Sequence, residues 1–121
     1  MLTTVAYGLA IVLNLLCLLI GARFLLTPHA AATGYGVPAT TDRAYLTIKG
    51  LRDGTYGLVG LALLAFAGPQ AEAWFMLVVA LVPLGDTLVV LRNGGTKAVA
   101  FGIHFATAVL VLLCAGLLFA V

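Results

Sequence analysis

The chain has 121 residues, 64% of them hydrophobic and only 8% charged, with a mean hydropathy of +1.21. Soluble domains carry about 25% charged residues, so this composition excludes an ordinary soluble enzyme and points to the bilayer as solvent and first partner. Six basic against four acidic residues leave a net charge of +2, too small a surplus for a nucleic-acid-binding surface.

Four apolar runs, at 5–26, 44–67, 73–91 and 98–120, approach the roughly 20 residues that cross a hydrocarbon core. The expected fold is an all-α, integral-membrane four-helix bundle, a single transmembrane domain over 1–121 whose one long loop is 27–42. Arg43, Arg92 and Lys97 flank the first and third connections, while both chain ends and the second connection carry no Lys or Arg. The positive-inside rule then predicts both termini outside the cytoplasm and the long loop inside.

The first run has no basic residue before it and exceeds the h-region of a signal peptide, so it reads as a retained helix. Tyr7, Asn14 and Arg23 interrupt it, and Thr27-Pro28 should end it. Arg23 has two readings that stay open: a side chain snorkelling to the headgroups, or one turned into the bundle to neutralise a carboxylate. Pro28, Gly34, Gly36 and Pro38 punctuate the loop, which is long enough to fold back over the mouth of the bundle. Tyr35 and Tyr45 are then expected at the interface.

Asp42 reads as the N-cap of the second helix. That helix interrupts its apolar run with Lys49-Gly50-Leu51-Arg52-Asp53-Gly54. At about 100° per residue, Lys49, Arg52, Asp53, Tyr56 and Gly60 share an arc roughly 100° wide. Gly50-x-x-x-Gly54 beside it permits close helix packing, within the chain or between copies as a homo-oligomer. Charges at that depth are costly and are a functional hypothesis by default.

In the third run Pro83-Leu84-Gly85-Asp86 sets an acid where the helix is weakened. His104 is the polar landmark of the fourth. Counted at 1.5 Å per residue from the loop ends, Lys49, Asp86 and His104 lie about 9–10 Å deep, Arg52 and Asp53 about 14–15 Å and Arg23 about 5 Å. All six fall in one leaflet, beneath an outer half that reads as apolar. Cys17 and Cys114, the only cysteines, read as unpaired small hydrophobes.

Together Arg23-x4-Pro28, Gly34-x-Gly36, Lys49-Gly50-x-Arg52-Asp53, Pro83-x-Gly85-Asp86 and His104 resemble the small four-helix bacterial and fungal membrane proteins described as a domain of unknown function. Those look broadly like the DoxX-like group. The resemblance covers nearly the whole chain and implies the four-helix fold and the choice of these residues; the expected location is a bacterial inner membrane. It implies no assigned activity. DoxX-like proteins are linked to quinone and redox partners, but paired cysteines and a bis-histidine site are lacking in this sequence.

The residues themselves suggest cofactor-free acid–base chemistry on a lipophilic small molecule, such as isomerisation, cyclisation or epoxide opening. Asp53 would be the acid held by Arg52, Asp86 the base and His104 an orienting partner, with Lys49, Arg23, Tyr56 and Tyr35 binding. A proton-coupled carrier using Asp53, Asp86 and His104 is an alternative. So is a structural or accessory subunit held by Arg52–Asp53 and Lys49–Asp86 pairs. No metal is expected, because Lys49 and Arg52 already compensate the acids and the His-Glu-x-x-His spacing is missing.

Overall fold

A computed structural model describes residues 1–38 and 42–121. Every regular element among them is helical. Helix α1 spans Leu2–Leu26, α2 Pro28–Tyr35 and α3 Arg43–Ala62, and a π-helical segment, Leu63–Ala67, continues α3. Then come α4 (Pro69–Val79), α5 (Leu81–Arg92), α6 (Lys97–Val99), a second π segment at Ala100–Phe105, and α7 (Ala106–Phe119).

Three stretches are long and apolar enough to cross a membrane: Leu2–Leu26, Pro69–Arg92 and Lys97–Phe119. They suggest a membrane protein. The α3 stretch is not among them, because Arg43, Lys49, Arg52 and Asp53 fall within its twenty residues.

The helix boundaries follow from local chemistry. Asp42 caps α3, its carboxylate accepting from the Ala44 N–H at 2.7 Å. Pro83 interrupts the third run, and the break lies at Ala80, between α4 and α5, rather than at the proline itself. Proline lacks an N–H, and its ring crowds the carbonyl four residues back, here Val79, where α4 ends. The expected long loop differs from the structure, since half of it is the helix α2. Proline at the first position starts that helix, and Gly36, in the left-handed region at φ +93°, ends it. Residues 39–41 of that loop lie outside the described residues.

Two clusters make the core. Ala6, Ala10, Leu13, Ala73, Met76, Cys114 and Leu118 knit α1, α4 and α7 together. Phe24, Ala31, Ala32 and Leu46 pack α2 against α1 and α3. The first cluster lies towards the end of the molecule that holds both termini and the Gly68 turn, the terminal end. The second lies at the opposite end, beside α2, the loop end.

The most extensive helix contact joins α1 and α3, and it is built backbone to backbone. A Cβ on Gly50 would stand 2.8 Å from the Gly21 carbonyl oxygen, and one on Gly21 would strike the backbone of Gly54. The glycine edge of α3, including Gly50 and Gly54, therefore seats α1 of the same chain. Both cysteines are free.

Candidate functional site

Where the helices diverge they enclose a cavity of about 280 Å³. Its walls are mainly apolar, with Leu13, Phe24, Met76, Val82, Ile103 and Val111 among them. The polar groups on it come from every long segment: Asn14, Cys17 and Arg23 from α1, Tyr35 from α2, Asp53 and Tyr56 from α3, Asp86 from α5 and His104 from the second π segment. Six of the eight residues singled out from the sequence thus face one space. Lys49 and Arg52 do not line it.

Asp53 is 7% exposed, and Lys49 holds it: Nζ lies 2.8 Å from Oδ2. This differs from the expected Arg52–Asp53 and Lys49–Asp86 pairs. Residues four apart on a helix share a face, whereas neighbours such as Arg52 and Asp53 point apart; Arg52 is accordingly exposed. The Lys49 ammonium also sits over two rings, 4.1 Å from the centroid of Tyr35 and 4.8 Å from that of Phe24, as a cation–π contact requires.

Tyr35 is the hub of the arrangement. Its hydroxyl donates to Asp86 Oδ2, its ring packs edge-on to Phe24, and its centroid is 4.2 Å from that of His104. The His104 Nε2 lies 2.7 Å from the Tyr35 carbonyl oxygen. A carbonyl can only accept, so Nε2 carries the hydrogen and donates. Burial, and then the facing Asp86 carboxylate, pushes the Tyr35 hydroxyl well above the usual tyrosine range. Tyr35 therefore keeps its proton and acts as a hydrogen-bond donor. The site as a whole offers a donor (Tyr35), an acceptor beside it (Asp86), an imidazole (His104) and a carboxylate already paired with Lys49.

Local structure explains the placement. The Pro83 interruption delivers Asp86 on a helix that starts afresh at Leu81. The π segment at Ala100–Phe105 carries His104; such segments are rare and recur at functional sites. The glycine seam draws α1 against α3 and sets Cys17 Sγ 3.1 Å from the Asp53 carbonyl, to which it donates. Arg23 is exposed and also lines the cavity. Among the described residues no group of three or more His, Cys, Asp or Glu side chains gathers to hold a metal ion.

One feature escaped the sequence reading. Glu72 is fully buried and pairs with Asn14 across 2.7 Å. The half of the chain that reads as apolar in the sequence therefore contains a carboxyl group. Glu72 lies one residue before the apolar run that begins at 73, so it looked like a loop charge. The long segment starts four residues earlier, at Pro69, and carries Glu72 inside.

No curated protein and no solved structure matches this sequence. A family model matches residues 14–118, a span that contains every polar residue of the cavity, and the chain belongs to the family described as Domain of unknown function (DUF4267).

Proposed function

We propose that this protein is a multi-pass, four-helix membrane protein of DoxX-like general form, one transmembrane domain in which α3 is the fourth pass. Its cavity takes a lipophilic small molecule and carries out acid–base chemistry on it without a cofactor. The observation that carries this reading is the cavity's division. Apolar walls make up most of it, and Tyr35, Asp86, His104 and Asp53 gather on it from four separate segments. Small-molecule sites are commonly apolar hollows with a few convergent polar groups, and this one is near the lower end of their size range, about 300 Å³.

In this reading Asp86 accepts a proton from the substrate and returns it at a second position, while the Tyr35 hydroxyl, hydrogen-bonded to it, holds the carboxylate in place. His104 holds the Tyr35 backbone in place. Asp53, neutralised by Lys49, sets the local field instead of acting as the acid. Isomerisation, cyclisation and epoxide opening all need only this transfer of a proton. The positive-inside bias puts the cavity mouth at the cytoplasmic face, with both termini outside, as in a bacterial inner membrane.

The test is a comparison of lipid extracts from membranes holding the wild type or Asp86→Asn, both verified as folded. Wild-type membranes should contain a lipophilic product that the variant lacks, with its precursor accumulating in the variant. Identical extracts would exclude chemistry at Asp86 and leave a proton-coupled carrier or an accessory subunit as the better readings. The carrier reading gains from the buried Glu72, since it gives the terminal end a titratable group of its own.

A further inference from the structure

Glu72 is the only glutamate in the chain and has no exposed surface. Its Oε1 accepts from Asn14 Nδ2 at 2.7 Å, and the same amide donates to the Ala10 carbonyl at 3.0 Å. Its Oε2 is buried with no hydrogen-bond partner among the described residues. Of the titratable groups on α1 and α7, Tyr7 packs against the neighbouring core cluster and Cys114 lies within electrostatic reach of Glu72. Neither is a cation. The ion pair found among the described residues is Lys49–Asp53, at the other end.

An ionised carboxylate in such a place has one neutral donor and no counter-charge, a state so costly that a buried acid normally takes up a proton instead. Its position in the first turn of α4 favours negative charge, but a helix dipole contributes far less than the burial of an unpaired ion costs. A hard divalent cation would need six or more oxygen ligands, and two side chains meet here. The occupant that fits is a proton.

We propose that Glu72 is a proton-binding site that loads from the cavity. Asn14 supplies the link, because its amide touches Glu72 and its side chain lines the cavity wall. Glu72 itself does not line the cavity, so it sits one side chain behind it. This goes beyond the acid–base reading of the Tyr35–Asp86 pair: it uses different residues and stands whether or not the cavity hosts a reaction. It gives the molecule a proton-handling group at the end opposite Asp86 and His104.

Because Glu72 is the only glutamate, incorporating glutamate labelled with carbon-13 at the side-chain carboxyl marks it alone among the acids. Isotope-edited infrared spectra would be recorded on the intact protein in phosphatidylcholine vesicles, from about pH 5 to about pH 9. The expected result is the carbonyl band of a protonated acid at neutral pH, which shifts in heavy water, fades as pH rises and is missing from Glu72→Gln. Asn14→Leu should slow the heavy-water shift several-fold. Carboxylate bands alone across the series, or an acid band that never exchanges, would overturn the proton site. An unchanged exchange rate in a folded Asn14→Leu would overturn loading through the cavity.

Discussion

At the loop end each carboxylate has a partner chosen by helix geometry: Lys49 one turn away from Asp53, and Tyr35, brought in by α2, for Asp86. At the terminal end Glu72 has a single amide and one bare oxygen. The first arrangement borders a cavity and half-exposed side chains, so its charges keep contact with a polar surrounding. The second is sealed by alanines, Met76, Cys114 and Leu118. The contrast shows that burial alone does not define the site. What marks the loop end is that its polar groups are satisfied by one another and still face an open volume, which is the condition for acting on something placed there.

The largest expected effect probes the sealed end. A side chain on Gly60 would run into the Asn14 side chain, so Gly60→Leu should cost about 3 kcal/mol or more through overpacking and loss of the Asn14–Glu72 contact. Gly116, with open space beside it, is the control. Thermal unfolding in detergent reads both, and equal losses at the two glycines would remove the reason for treating Asn14 as tightly placed. Asn14→Leu should then cost about 1–3 kcal/mol by leaving Glu72 without its donor. Adding Glu72→Met should recover much of that loss, as apolar replacements of buried polar groups often do.

At the loop end, Tyr35→Phe removes a hydrogen bond to a carboxylate and should cost about 1.5 kcal/mol. Its pH signature has a definite sign. The folded protein holds the Tyr35 proton more tightly than the unfolded chain does, so the contribution is complete below about pH 10 and is lost as pH rises past that value. Wild type should therefore lose stability in alkali more steeply than Tyr35→Phe, and parallel curves would contradict the buried Tyr35–Asp86 pair. Lys49→Met should cost about 1 kcal/mol or less, because the Lys49 side chain is 28% exposed and water screens the pair. Arg52→Ala should change stability by no more than about 0.5 kcal/mol and leave ligand occupancy untouched. A large effect there would restore Arg52 as the partner of Asp53.

Much of this was legible because membrane sequences write their helices as apolar runs. Three of the four apolar runs, the Asp42 cap and the weak point near Pro83 followed from composition and local sterics. Asp53, Asp86 and His104 stood out as polar residues in apolar helices, and they do meet on one cavity. The partners were harder. A helical arc 100° wide cannot separate Lys49 from Arg52, and only the i, i+4 geometry decides which of them reaches Asp53. Tyr35 read as an interfacial residue in a loop, since nothing in a short run of alanines and glycine reveals α2 as a helix folded against Asp86. Asn14 and Glu72 are 58 residues apart, and no local periodicity links such a pair. The two π segments have no sequence signal at all.

The most direct test of the account is a high-resolution cryo-EM map of the protein purified with its native lipids, inspected between Asp53, Asp86 and His104. The account predicts an elongated non-protein density along Leu13, Met76 and Val111, with its polar end against the Tyr35 hydroxyl and Asp86. A cavity closed by side chains, with Asp86 also tied directly to a cation and no space between it and Asp53, would contradict it and make the polar cluster a structural clamp.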